Sequence, residues 1–323
     1  MRIGLTLPHI GPLASAEFVR DFAQDADQLG FASLWAVDHL AVPDRIESPY
    51  PLGEKPRSLP DGTVNRWMAP SYEQLSTLLF VAGLTRHARL GTSVSVLTLR
   101  NPVLHARMLA TLDVYSGGRL VLGVGSGWLR EEALAMQMPW DERGARAEEH
   151  VALLRALWTA PGDSVGFEGR FYTLPPVHPE PRPVQKPCPP IYVGGHGAAA
   201  IERAARIGDG WIAGPMTAER AATLVPRVRE ALAAARRDST QFRFSLGASF
   251  AIQADPAKRI HHAVTPEGGV SISDPEEIVR RARAYQALGA DELRMGISGS
   301  TAADVLAALQ ALAEHVLPAF QER

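Results

Sequence analysis

Eight short β-rich runs alternate with amphipathic helices along the whole chain, and this alternation limits the fold more than any single motif. Ile3–Leu7 reads as strand 1. The helix over Ser15–Leu29 places Phe18, Phe22, Ala26 and Leu29 on one stripe and stops at Gly30. Ser33–Val37 is strand 2, and a second helix starts at Ser71, where Gln74 completes a capping-box pattern. Leu90–Val96 is strand 3, and the helix opened by Pro102 ends at Ser116-Gly117-Gly118. Arg119–Val124 is strand 4, followed by a helix over Glu142–Trp158. Pro190–Val193, Gly210–Ala213, Phe242–Ile252 and Leu293–Ile297 are strands 5 to 8. Between them lie helices at Ala198–Arg206, at Thr217–Arg236 and from Asp274-Pro275-Glu276-Glu277, an N-cap followed by proline. The last helix sets Val305, Leu309, Leu312 and Val316 on one face.

With no Gly/Ser-rich linker, the pattern predicts one closed (β/α)8 TIM barrel over residues 1–323. An open, doubly wound sheet is the alternative. Division at Pro175–Pro190 would leave four strands per half and an unclosed edge. Insertions are expected after strands 2, 4 and 7: Asp44–Pro70, Val165–Pro190 with a hairpin around Gly166–Tyr172, and Gln253–Ser273. In a barrel, segments after strands 2 and 7 emerge at the catalytic mouth and read as lids or as surface ornament.

The 323 residues are 46% hydrophobic, enough for a core without staples, and the net charge of −2 offers no overall attraction to nucleic acid or an anionic membrane. Cys188 is the single cysteine, which excludes an internal disulfide and fits a reducing compartment; no base is evident beside it. No run approaches the roughly 18 apolar residues of a membrane span, so a cytoplasmic location is expected.

Candidate chemistry gathers after the strands. Asp38-His39 follows strand 2, where an imidazole can carry a proton and a carboxylate can orient it; the pair serves equally as a polar strand end. Gly91-Thr92-Ser93-Val94-Ser95-Val96 carries small hydroxyl residues near the end of strand 3 that let a flat ring lie close to the backbone, as simple strand packing would also explain. Gly123-Val124-Gly125-Ser126-Gly127-Trp128 is weak as a dinucleotide motif but leaves room for a planar ligand. Gly194-Gly195-His196-Gly197-Ala198 joins strand 5 to a helix, and bare amides there suit a phosphate; a tight turn is the plainer reading. His9 and His39 lack the ligand spacing of a metal-dependent hydrolase, so no metal is expected.

Taken in order, these blocks resemble the luciferase-like monooxygenase superfamily, particularly its branch using the deazaflavin coenzyme F420. The resemblance rests on Leu29-Gly30-Phe31-Ala32-Ser33-Leu34-Trp35 leading to Asp38-His39, Leu90–Val94, Leu112–Leu120, Gly123–Trp128, Pro189–Gly195 and Ala204–Trp211. It implies an F420-dependent oxidoreductase transferring hydride between the deazaflavin and a small organic substrate. The alternative it admits is a two-component monooxygenase taking reduced FMN from a separate reductase and using O2. By this resemblance His39 lies beside the reactive ring with Asp38 in support. Ser93-Val94 forms a non-prolyl cis bulge against the ring, Gly125, Ser126 and Gly127 border the ring or its tail, and Gly194, Gly195, His196, Gly197 and Ala198 hold the phosphate end. Relatives also suggest a homodimer. Sugar-phosphate dehydrogenases of this branch carry a Glu in the loop after strand 4 and a Trp shortly after the Asp-His pair. This chain has Ser126-Gly127 and Ala41-Val42-Pro43 there, which speaks against that substrate class and against a carboxylate acid/base from that loop.

Overall fold

The computed structural model describes residues 1–49, 68–252, 271–272 and 274–321. Most of the two long segments expected after strands 2 and 7, including Arg57, Arg66, Trp67, His261 and His262, lies outside the described residues. Eight strands form the barrel: β1 (Arg2–Thr6), β2 (Ser33–Ala36), β3 (Arg89–Thr92), β4 (Leu120–Gly125), β5 (Ile191–Gly194), β6 (Gly210–Met216), β7 (Arg243–Ile252) and β8 (Glu292–Ile297). Each pairs in parallel with the next, and β8 pairs with β1 through Ile3↔Leu293, which closes the sheet. Parallel order through successive helical crossovers puts every strand's C-terminal end on the same rim.

Around the barrel run α1 (Ala16–Gln28), α2 (Gln74–Leu84), α3 (Pro102–Ser116), α4 (Arg130–Ala135), α5 (Arg143–Thr159), α6 (Ala198–Ile207), α7 (Ala218–Ala234), α8 (Pro275–Ala287) and α9 (Ala302–His315). Local chemistry starts them. Ser15 accepts from the Phe18 amide at α1, Asn101 caps α3 ahead of Pro102, and Thr301 and Asp304 form a full capping box at α9. Each such cap stabilises its helix by about 1 kcal/mol. The inward stripe of α1, Phe18, Val19, Phe22, Ala23 and Ala26, is buried in the core. Truncating Phe22 to Ala there costs about 3–5 kcal/mol.

Inside the barrel, Trp35 packs with Val121, Tyr192 and Ile212. A Cβ at Gly91 would lie 2.2 Å from the Trp35 ring, so the indole occupies space that only glycine on β3 leaves open. Below it the interior is polar. Glu292 accepts from Ser33 (2.5 Å) and Ser245 (3.0 Å), and Arg294 donates to Ser245 (3.0 Å), to Ser93 and to the Ala213 carbonyl.

Three local expectations need correction. Helix α2 begins at Gln74 rather than Ser71, capped by Glu73, which accepts from the Ser76 amide at 2.7 Å. The Gln74 side chain instead donates to the Ala36 carbonyl at 2.8 Å, because that strand end is buried and needs a donor. The predicted strand 3 breaks after Thr92; Ser95–Val96 then pairs separately with β4. Helix α4 was not expected, since six residues give no periodic stripe to read. The hairpin, Val165–Glu168 against Thr173–Val177, follows α5 and precedes β5.

Candidate active site

Asp38 and His39 follow β2 and take different partners. The buried Asp38 carboxylate receives Arg100 in a two-pronged ion pair (2.5 and 2.9 Å) and also accepts from the Val96 amide at 2.8 Å. Arg100 reaches on to Glu73 at 2.9 Å. Burial opposes the Arg100 charge, but Asp38 and Glu73 outweigh it and raise its pKa. Asp38 therefore ties the end of β2 to the segment after β3, and its oxygens are spent on that task. The expectation that it orients His39 is not what this geometry provides. The carboxylate at His39 belongs to Glu132 of α4, with Oε2 3.4 Å from Nδ1. Glu132 Oε1 also accepts from the Leu40 and Ala41 amides at 2.5 and 3.2 Å. Trp128 stands edge-on to the His39 ring, 6.4 Å between centroids. The preceding residue on α4, Glu131, holds the same loop through the Glu47 amide and the Ser48 amide and hydroxyl.

The floor of the rim is formed where β3 ends. Ser93–Val94 is a cis peptide that does not precede proline. The Val94 side chain fits between two strand ends: a Cβ on Gly125 would lie 2.6 Å from Val94 Cγ2, and one on Gly194 2.9 Å from Cγ1. Three strands thus meet over one valine because two of them end in glycine. Ser93 is held from beneath by Arg294, which lies against the Trp35 ring at 5.3 Å. Burial lowers the Arg294 pKa to about 10, so the guanidinium remains a cation at neutral pH. The turn after β4 follows, with Gly127 at φ +83° and the Ser126 carbonyl accepting from Thr98 at 3.3 Å.

The turn after β5 is built from backbone. Gly195 has φ +119°, and its carbonyl accepts from the Trp211 indole at 2.8 Å. His196 Nε2 accepts from the Gly214 amide at 3.2 Å, which leaves the ring proton on Nδ1. Burial, then Arg220 and Arg294, press its pKa down to about 4, so the ring is neutral at pH 7. Gly197 is the N-cap of α6 and supplies no capping side chain, while Gly197 and Ala198 are exposed. The first amides of the helix are therefore presented as donors to an anion.

The structure brings His39, Asp38, Ser93, Val94, Gly125, Ser126, Gly127, Gly194, Gly195, His196, Gly197 and Ala198 to one end of the barrel, linked through Val96 and Val94. Sequence reasoning missed Arg100, Glu132 and Arg294. Only Glu132 left a signal, an acidic doublet soon after a glycine-rich turn. His9 is fully buried with its ring nitrogens facing the carbonyl oxygens of Leu7 (3.0 Å) and Val37 (3.1 Å). Burial raises the Cys188 pKa, which disfavours the reactive thiolate. Among the described residues, no three His, Cys, Asp or Glu side chains gather as a metal site, and no helix is long and apolar enough to cross a membrane.

Comparison with known proteins gives the family and the fold. The chain is 34% identical over 290 residues to an F420-dependent glucose-6-phosphate dehydrogenase of Kineococcus radiotolerans, covering 84% of this chain and 79% of that protein. A protein of the same name from Amycolatopsis mediterranei is 30% identical over 81% of this chain and 75% of its own length. Among solved structures, the monooxygenase RslO1 from Streptomyces bottropensis superposes with a TM-score of 0.79 at 25% identity, over 99% of this chain and 100% of that one. An F420-dependent secondary alcohol dehydrogenase bound to an F420–acetone adduct shares the fold, with a TM-score of 0.77 at 18% identity over 99% of both chains. The family model for luciferase-like monooxygenases matches residues 2–266, and the chain belongs to that family.

Proposed function

We propose that this chain, acting as one barrel, is an F420-dependent oxidoreductase that moves a hydride between the deazaflavin and a small organic substrate. One observation carries the reading: a glycine-lined floor, an uncapped helix N-terminus and an imidazole share a single rim. The names of the two dehydrogenase relatives favour F420 over FMN.

The residues present fit such a cofactor. Val94, half-buried between Gly125 and Gly194, makes a shoulder suited to a planar ring system. Gly195 to Ala198 offer amide donors to a phosphate, and the neutral His196 adds no competing negative charge. When bound, the deazaflavin supplies the hydride chemistry. The chain supplies the rest. Asp38 and Arg100 hold the end of β2 against the floor. His39 carries the proton that must accompany hydride transfer at a substrate oxygen or nitrogen. Trp128 limits the space beside that ring. Arg294, beneath Ser93, keeps the floor in register with β6 and β7.

Titrating the purified protein with F420 and with FMN, each oxidised and reduced, tests the assignment. Tighter binding of F420 is expected. Clearly tighter binding of FMN, with oxygen uptake in the presence of reduced FMN, would replace it with the two-component monooxygenase reading.

A further inference from the structure

The residue that follows a strand in sequence is not always the one that governs it in space, and His39 is a case. Its neighbour Asp38 is consumed by Arg100 and the Val96 amide. Glu132, on a different βα segment, is 3% exposed, and its one ion-pair partner among the described residues is His39. Its two oxygens divide their work. Oε1 takes the Leu40 and Ala41 amides, and Oε2 faces His39 Nδ1. An ionised carboxylate can only accept, so a nitrogen facing it must donate. A neutral imidazole has one N–H, and the partner of one nitrogen settles which nitrogen carries it.

We propose that Glu132 is a positioning residue that holds His39 as the Nδ1–H tautomer, leaving Nε2 with its lone pair as the proton acceptor of the site. The catalytic half of this statement rests on the proposed oxidoreductase reading; the tautomer itself does not. It also gives α4 a purpose: the helix brings a carboxylate to His39 from the segment after β4, although Ser126-Gly127 in the loop itself carries none.

Glu132→Gln isolates the effect. The amide oxygen of Gln can still accept from Leu40 and Ala41, and satisfying those two donors turns its NH2 group toward Nδ1. The polarity of one bond inverts while the shape is kept, so His39 is driven to the Nε2–H form. The first readout needs no cofactor: ring nitrogen–proton correlation spectra of 15N-histidine-labelled protein, with His39 assigned by its loss in His39→Gln. Wild type is expected to show Nδ1–H and Glu132→Gln to show Nε2–H. The second readout is kinetic: kcat for substrate oxidation falls tenfold or more, while substrate KM and the Kd for F420 stay within about threefold. A wild-type Nε2–H tautomer, or the same tautomer in both proteins, overturns the proposal. A tautomer change with unaltered kcat overturns its catalytic half. Failure of wild type to bind F420 would instead strike the functional reading, and the spectra would still decide the tautomer.

Discussion

The two sides of the rim solve the same problem with different materials. From β2 to β4 the segments are joined by charged side chains: Asp38 to Arg100, Arg100 to Glu73, Glu132 to His39, Glu131 to Ser48. From β5 to β6 the turn Gly194–Ala200 carries no formal charge, and its contacts run through backbone amides, a carbonyl and a neutral histidine. A side that moves protons needs titratable groups held at fixed distances, each matched by a partner. A side that receives a ready-made anion needs donors with no counter-charge of their own.

The largest test of this contrast removes the guanidinium. Arg100→Met leaves Asp38 buried without its cation, and unfolding by denaturant should show a loss of about 3–5 kcal/mol. Pairing it with Asp38→Asn should recover part of that loss, since the uncompensated charge is then gone. A loss below about 1 kcal/mol for the single variant would mean that the ion pair does not hold this side together. Next in size, His39→Ala should lower kcat by about 10²–10⁴ while F420 affinity stays within a few-fold. Equal loss in binding and turnover would make His39 part of the cofactor seat rather than a proton carrier.

Acid should act on both sides at once, and in a known direction. His105 lies well below the usual 6.5, His150 at about 3 and His196 at about 4, in each case chiefly through burial. The unfolded chain therefore takes up protons near pH 6.5 that the folded chain refuses. Stability is complete above that pH and is lost as pH falls toward the folded values. We expect Tm at pH 4.5 to lie on the order of 10 °C below its value at pH 7. A flat Tm between pH 7 and 5 would contradict this, because carboxylates alone bring the decline in only near their own lower pKa values. His150→Gln and His196→Gln apportion the effect between the region behind β3–β4 and the β5 turn.

The smallest effect is also the most selective. Gly197→Asp gives α6 the capping oxygen it lacks, so stability should hold or rise by a few tenths of a kcal/mol. The same carboxylate stands where a phosphate would dock, so F420 affinity should drop at least tenfold. Unchanged affinity would remove the helix terminus from the cofactor site.

The sequence disclosed what depends on period and punctuation, and withheld what depends on meeting at a distance. Strands β1 to β8 were legible because branched and apolar runs alternate with helical stripes, and His39 was legible because it directly follows one of those strands. The turns around Gly125 and Gly194 stood out by composition. Asp38 was misjudged because adjacency in the chain suggested a bond to His39, whereas Arg100 supplies two bonds and a full charge. Nothing local marks Arg100 or Arg294 as site residues. Their importance comes from lying against strand ends that the barrel alone assembles, Arg294 buried and Arg100 with only 9% of its side chain exposed. The break in strand 3 was legible only through the family resemblance, since the run Ser93–Val96 is as β-like as any other.

The double grip of α4 on the segment after β2 bears on how such barrels can be re-engineered. Glu131 and Glu132 together receive five contacts to main-chain amides and a hydroxyl between Leu40 and Ser48, besides the approach to His39. The loop after β2 and this short helix are therefore one exchangeable module written in two places. A loop transplanted from a sister enzyme without its own matching acidic pair would arrive with unmet donors, whereas residues 38–49 and 130–133 moved as a set would carry their fastening with them.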